Sequence, residues 1–316
     1  MTQNKTLPSR RTFIKALAHI KDQIKLHPYL YLMVLPALIW LFLFCYLPMG
    51  GIVMAFQDFK PTRGFFRSKW AGMKYFNQIF SDPFFWRAFN NTLIISSLKL
   101  LFGFTAPILL ALLLNEIFHV RVKKTLQTIL YLPHFLSWAI LAGVLTNLLA
   151  SDGTVNQIII AMGGEPVAFM SNSDTFRGFL VITHVLKTVG WGSIIYIAAI
   201  TGIDPTYYEA AVIDGAGRFY QAIYVTLPNI MPTVTVLFIL SLGGIMNAGF
   251  DQIFVLMNPS VTAVCDIIDT MVYRAGLMEA RHSYAAAAGL FKAVIGCLLV
   301  LFTNSVIRVL GGETLF

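Results

Sequence analysis

Four side chains that could bind a solute share one face of an apolar segment. They are His184, Lys187, Thr188 and Trp191, at positions i, i+3, i+4 and i+7 of a helical repeat. A cation beside an aromatic ring suits an acidic sugar, because Lys187 would meet a carboxylate while Trp191 stacks on the sugar ring. The alternative is structural: Lys187 pairs with a group on a neighbouring helix, and Trp191 packs against another subunit.

Further polar side chains interrupt other apolar segments. The candidates for a solute path are Asn247 and Asp251, spaced one helical turn apart, with Trp138 and Asn147 as a weaker set. Polar groups inside a bilayer usually face the bundle interior or a wet cavity. Close helix packing at Gly243 and Gly244 is the alternative for the first pair. Lys99 and Lys292 lie near the middle of their segments, where we expect them to hydrogen bond or to snorkel rather than to contact solute.

Residues 202–231 contain the signals of a compact helix–turn–helix. Asp204 can cap a helix whose first turn contains Pro205, and Gly215 and Gly217 allow a sharp reversal about ten residues later. A second short helix is expected to end at Leu227–Pro228.

The surface of this segment, called the Glu209 loop below, suits a partner protein. Ala210, Ala211 and Ala216 are small enough to let a partner's backbone approach, and Glu209 offers an anchoring charge. An ordinary loop with no partner is the alternative interpretation.

Catalytic signatures are absent from the sequence. It has no GxxxxGK[ST] phosphate loop, no HExxH zinc pair and no GxSxG nucleophile turn, and its six histidines lack ligand spacing. Cys45, Cys265 and Cys297 are too far apart for a CxxC pair or a zinc site. We therefore expect no catalytic residue, no metal and no cofactor in this chain. A membrane enzyme, or a sensor or scaffold without transport, remain the alternative classes.

The composition predicts an all-α polytopic membrane protein. Of 316 residues, 57% are hydrophobic and 12% are charged, against about 25% charged in a soluble domain. Six segments are long enough to span a bilayer: 29–51, 88–115, 125–151, 178–203, 232–250 and 284–307. The fifth begins at residue 232 because Pro228 and Pro232 are expected to break the helix. The net charge of +8 then reflects lipid-facing Lys and Arg, so nucleic-acid binding is excluded.

The distribution of basic residues predicts that both termini are cytoplasmic. Six precede the first span, and residues 1–27 are expected to form a basic amphipathic helix on the membrane surface. Residues 152–176 contain three acids and no Lys or Arg. The loop after the first span is an exception, because it also has six basic residues: Lys60, Arg63, Arg67, Lys69, Lys74 and Arg87. Residues 70–86 within it are rich in aromatics, which predicts an interfacial belt.

The Glu209 loop resembles the EAA loop of permease subunits in binding-protein-dependent ABC importers. The matching residues are Glu209, Ala210, Ala211, Gly215, Val225, Leu227 and Pro228. Val225 stands where isoleucine is usual, and the loop precedes the penultimate span, as in that family. Residues 47–51, 55–61, 91–92, 130–135, 190–196 and 214–218 resemble the polysaccharide-type (LplB-like) subgroup, which is associated with oligosaccharides and uronate-rich glycans.

The resemblance implies a type I importer with several partners. They are a second homologous permease forming a heterodimer, two copies of a cytoplasmic ATPase that binds ATP and Mg, an extracytoplasmic binding protein and an oligosaccharide. The ATPase would contact Glu209, Ala210, Ala211, Asp214, Gly215, Gly217 and Arg218. The implied domains are the N-terminus (1–27), the first span with the aromatic segment (28–87), the permease core (88–310) with its loop at 202–231, and a cytoplasmic tail (311–316). Residues 152–176 and 252–282 are candidate docking surface for the binding protein, or a cap on the bundle.

Overall fold

The computed structural model describes residues 26–309, with side chains to residue 305. The amphipathic N-terminal helix predicted for residues 1–27 falls almost wholly outside the described residues, and so does the tail. Contacts divide the chain into two units, Met1–Val53 and Met54–Phe316. Helix α1 begins at Pro28, in the first unit, and is helical through Phe56, three residues into the second. Its residues up to position 49 are all exposed, and its most apolar window has a mean hydropathy of 2.3, which suits contact with lipid.

The second unit begins with a small hairpin subdomain. It consists of strand β1 (Gln57–Asp58), helix α2 (Gly64–Arg67), strand β2 (Lys69–Trp70) and helix α3 (Lys74–Phe80), and the two strands pair antiparallel. Tyr75 donates a 2.7 Å hydrogen bond to Asp58, which holds the pKa of that carboxyl below its usual value.

Helices form the rest of the second unit. They are α4 (Pro83–Asn115), α5 (Val120–Phe135), α6 (Trp138–Leu149), α7 (Thr154–Ala161), α8 (Ser173–Thr201), α9 (Pro205–Ile213), α10 (Arg218–Gly243), α11 (Phe250–Leu256), α12 (Thr262–Cys265), α13 (Ile268–Tyr273) and α14 (His282–Val309). Helix α8 packs along α4 and against α5, and α10 packs against α14. Six segments of the described chain are long and apolar enough to cross a membrane, so the predicted number of spans is confirmed.

The aromatic segment 70–86 is divided between surface and core. Trp70 and Phe84 are exposed, and their place in an interfacial belt stays a prediction. Phe76 and Phe85 are instead buried in a cluster with Ala287 on α14. This cluster fixes the hairpin subdomain to the bundle, because several large apolar side chains are buried together and pack closely.

Residues 252–282 pack against the bundle through a buried cluster. Ile253 and Ile267 belong to a buried cluster with Phe176 and Leu180 of α8. Asp266, a candidate for protein docking, is 4% exposed and bonds Thr270 and Arg274. Of the two interpretations of this segment, the structure favours the cap.

The third predicted span, 125–151, is broken in the structure. Helix α5 ends at Phe135, and α6 begins at Trp138. Ser137 has an extended backbone and caps α6, with its Oγ accepting a hydrogen bond from Ile140 N at 3.2 Å. The apolar run identified in the sequence therefore covers two helices that meet at a sharp bend.

The fifth predicted span, 232–250, is wrong at both ends. Helix α10 begins at Arg218 and continues through both prolines. A π turn at Ala222–Thr226 precedes Pro228, and Leu227 N–H bonds to the carbonyl of Ala222, five residues back. This wider turn accommodates Pro228, which has no backbone N–H to donate to the helix. The helix does not end at Leu227–Pro228 as expected.

The end of α10 changes the position of Asn247. The helix stops at Gly243, and a new helix, α11, begins after Gly249, whose φ is +88°. Asn247 therefore lies in an irregular connection, and Asp251 lies in the first turn of α11. The expectation that both share one continuous helix is wrong.

Candidate functional site

Local hydrogen bonds build the Glu209 loop. Asp204 caps α9 by accepting a 2.9 Å hydrogen bond from Thr206 N–H, which lowers the pKa of the Asp204 carboxyl. At the other end, Ala216 N–H bonds to Ala211 O at 2.8 Å, across Gly215 with its φ of +77°. These bonds satisfy the last carbonyls of α9 and reverse the chain.

The loop also has tertiary anchors. Tyr208 and Thr226 share a 2.9 Å hydrogen bond between α9 and α10. The Arg218 guanidinium lies 3.6 Å from the centre of the Phe118 ring, and its Nη1 lies 3.7 Å from Glu116 Oε2. Phe118 and Glu116 both follow the end of α4, so these contacts connect the loop to a second spanning helix.

The outer face of the loop is exposed, charged and apolar. Glu209, Ala210, Asp214, Gly215 and Gly217 are exposed, and Ala211 is half-buried. Around them lie exposed large side chains: Val212, Ile213, Phe219, Tyr220 and Tyr224. Within the described part of the chain, the Glu209 carboxylate makes no hydrogen bond or ion pair. The Asp214 carboxylate, on the same face, makes none either. An apolar surface with free anions is typical of a protein-binding site.

Two of the predicted path residues line a first cavity, of about 320 Å³. His184 of α8 and Asn247 of the irregular connection face it, together with Lys99 of α4. The His184 ring approaches α4 closely, since a Cβ placed on Gly103 would lie 3.3 Å from it.

Three others line a second cavity, of about 380 Å³. Trp138 at the start of α6, Lys187 of α8 and Asp251 of α11 all face it. The Lys187 ammonium lies 5.5 Å from the centre of the Trp138 ring. A cation, an anion and an aromatic ring around one cavity are suited to hydrogen bonding and stacking with a sugar.

Lys187 is itself occupied by the backbone at the bend between α5 and α6. Its Nζ donates hydrogen bonds to the carbonyls of Pro133 at 3.3 Å, His134 at 2.9 Å and Leu136. Three acceptors use all three N–H groups of an ammonium. This geometry favours a structural role, and contact between Lys187 and a sugar carboxylate stays a prediction.

Trp191 and Asn147 lie outside both cavities. The Trp191 ring stacks on His134, with centroids 4.6 Å apart and planes 2° from parallel. Asn147 is an exposed residue of α6. The substrate role of both stays a prediction.

Lys99 lies beside the first cavity. It is 6% exposed and donates hydrogen bonds to Ala248 O and Gln252 Oε1, in agreement with the expected hydrogen-bonding role. Its position beside a cavity depends on the bend after α10, which the sequence did not indicate. Lys292 pairs with Asp269 at 2.5 Å.

Comparison with known proteins gives the same fold and a family. Residues 103–312 match the family model for the binding-protein-dependent transport system inner membrane component. Protein LplB of Bacillus subtilis (strain 168) is 42% identical over 294 residues, covering 93% of this chain and 92% of LplB. The polygalacturonan/rhamnogalacturonan transport system permease protein YteP of the same organism is 44% identical, covering 91% and 90%.

Solved structures agree along nearly the whole chain. A crystal structure of a bacterial ABC transporter involved in the import of the acidic polysaccharide alginate has a chain with TM-score 0.85 and 41% identity, covering 92% of this chain and 98% of that one. A structure of bacterial alginate ABC transporter in complex with alginate pentasaccharide-bound periplasmic protein matches equally, with TM-score 0.85 and 40% identity over 93% and 98%. With six membrane helices in the type I ABC permease fold, this multi-pass membrane protein belongs to the family of inner membrane components of binding-protein-dependent transport systems.

Proposed function

We propose that this chain is a transmembrane subunit of an ATP-driven importer of oligosaccharides, including uronate-containing ones. Two relatives support this class, since YteP is described as a permease for polygalacturonan and rhamnogalacturonan and a solved relative is involved in alginate import. The binding protein seen with alginate in that relative supports a solute-binding partner here. The solute path would run beside the two cavities described above, next to a second permease.

The observation that carries the proposal is the exposed, anchored Glu209 loop. Its free carboxylates and the apolar side chains around them form a surface that contacts both α4 and α10. A partner ATPase that binds this surface would transmit its movement to two spanning helices at once. ATP and Mg would then bind to the ATPase and not to this chain.

This role also predicts the orientation. If the Glu209 loop binds a cytoplasmic ATPase, the N- and C-termini lie on the same side, in the cytoplasm. Single cysteines at residues 165 and 214, in a variant without Cys45, Cys265 and Cys297, test this with a membrane-impermeant maleimide. In intact cells, residue 165 should react and residue 214 should not; the reverse pattern would contradict the orientation.

Transport itself is tested with the whole importer in proteoliposomes. Glu209→Lys reverses the free charge, so we expect the ATPase to dissociate and ATP-dependent uptake of labelled oligosaccharide to be lost. Glu209→Asp is the matched control, because it keeps the negative charge at the same exposed position; it should transport normally. Unchanged uptake and ATPase binding in Glu209→Lys would refute the coupling role. A bound ATPase without any solute uptake by the wild-type assembly would favour a sensor.

A further inference from the structure

Lys99 is a buried lysine whose hydrogen-bond partners are all neutral. Its Nζ lies 2.6 Å from Ala248 O and 2.5 Å from Gln252 Oε1, and the residue is 6% exposed. No carboxylate of the described chain pairs with it. A buried ammonium without a counter-ion is strongly unfavourable, and inside a membrane such residues usually serve a function.

The surroundings of Lys99 keep the ammonium in one place. The Gln252 amide donates to Leu180 O and Thr183 Oγ1, both at 2.8 Å, so its Oε1 can only point toward the lysine. Gly249 completes the fit, because a Cβ there would lie 3.0 Å from Nζ. The irregular connection after α10 is thus shaped around this charge.

The cavity of about 320 Å³ beside Lys99 contains no acidic residue in its lining. Its size falls within the range of about 300–1,000 Å³ found for ligand sites. Polar groups of His184, Asn247 and Ser241 face the same space. An ammonium has three N–H groups and Lys99 uses two, so one remains to donate to an anion in the cavity. Lys187 differs, because three carbonyls already occupy its donors.

We propose that this cavity is a binding site for the carboxylate of a uronic acid sugar, with Lys99 as the residue that selects the acidic group. This binding site depends on the proposed function, because the sugar would reach the cavity during transport. The missing counter-ion of Lys99 is then supplied by the solute. His184 and Asn247 would hydrogen bond the sugar beside its carboxylate.

Binding to the purified, assembled importer in detergent tests the site without ATP or transport. D-Galacturonate and D-galactose differ only in carrying a carboxylate or a hydroxymethyl group at one carbon. From the shift in thermal unfolding with millimolar ligand, we expect galacturonate to bind roughly tenfold more tightly to the wild type, as for one charge-assisted hydrogen bond. Lys99→Met should abolish this preference. Equal binding of both sugars to the wild type would overturn the proposal.

A second variant keeps the test decisive if Lys99→Met does not fold. Ser241→Asp places a carboxylate in the same cavity from an exposed position, so it should neutralise Lys99 and remove the preference for galacturonate. Ser305→Asp is the matched control, since both hydroxyls are exposed and donate to the carbonyl four residues back; it should keep the preference. A preference that survives Ser241→Asp would overturn the site. Preserved galacturonate selectivity without uptake would instead count against the importer function alone.

Discussion

Arg218 places its guanidinium 3.6 Å from the centre of the Phe118 ring, which joins the start of α10 to the end of α4. The resemblance implied that Arg218 contacts the ATPase. Its observed partners are Phe118 and Glu116 of the same chain, so Arg218 can act by positioning the Glu209 loop. Contact with the ATPase stays a prediction.

Arg218→Ala should weaken the coupling between ATP hydrolysis and transport. An exposed cation–π contact contributes about 0.5–1 kcal/mol, so its loss would lower the population of the positioned loop roughly two- to fivefold. The number of ATP molecules hydrolysed per sugar imported should rise accordingly in proteoliposomes. Phe118→Leu should have a similar effect because it removes the other partner. An unchanged ratio in both variants would show that the contact does not position the loop.

Gly215→Ala should impair the Glu209 loop through its backbone alone. Gly215 has a φ of +77°, and a Cβ there meets no atom within 4 Å, so the penalty is the roughly 1–2 kcal/mol of a left-handed non-glycine residue. Gly202→Ala is the control, because Gly202 has a φ of −85° and a Cβ there would lie no closer than 3.4 Å to another atom. Binding of the isolated ATPase to the permease pair should weaken about five- to thirtyfold in the first variant and hardly change in the second. Equal affinities would contradict the role of this turn.

Lys187→Met should reduce uptake of neutral and acidic oligosaccharides by the same factor. The ammonium binds three carbonyls at the bend between α5 and α6. Without it the carbonyls of His134 and Leu136 lose this partner, while Pro133 O still accepts from Leu136 N–H, and an unpaired carbonyl destabilises a protein by up to about 1–3 kcal/mol. The midpoint of thermal unfolding should fall as well. Asp251→Asn, which faces the same cavity from α11, should leave the midpoint unchanged. Selective loss of acidic substrates in Lys187→Met would instead support the sugar-binding role inferred from the sequence.

Gly190→Ala should prevent normal packing of α8 against α5. A Cβ at Gly190 would lie 2.1 Å from Leu130 O and 2.5 Å from Leu130 C, and backbone atoms cannot move aside as a flexible side chain can. We expect a loss of at least about 1–3 kcal/mol of stability, seen as low yield and a lower unfolding midpoint. Gly178→Ala on the same helix is the control, since a Cβ there meets nothing within 4 Å. Equal stability of the two variants would show that the close approach is not required.

The sequence by itself determined the features that depend on neighbouring residues. Six apolar segments follow from the need to keep polar backbone groups bonded within each helix in a bilayer. The caps and turn of the Glu209 loop could be predicted because Asp204 and Gly215 act on atoms within five residues of themselves. The absence of a phosphate-binding motif was equally a local property.

Tertiary structure decided the features that depend on contacts between residues far apart in the sequence. Pro228 is accommodated by a π turn, and the break after Phe135 is held by Lys187, some fifty residues along the chain. Helical spacing placed Lys187 on a face with Trp191. Such spacing gives no information about the three carbonyls at the bend between α5 and α6 that bind Lys187. Lys99 became a candidate only when Ala248 and Gln252 were brought to it. The physical reason is that the energy of a buried charge depends on every group around it, and most of those groups are remote in sequence.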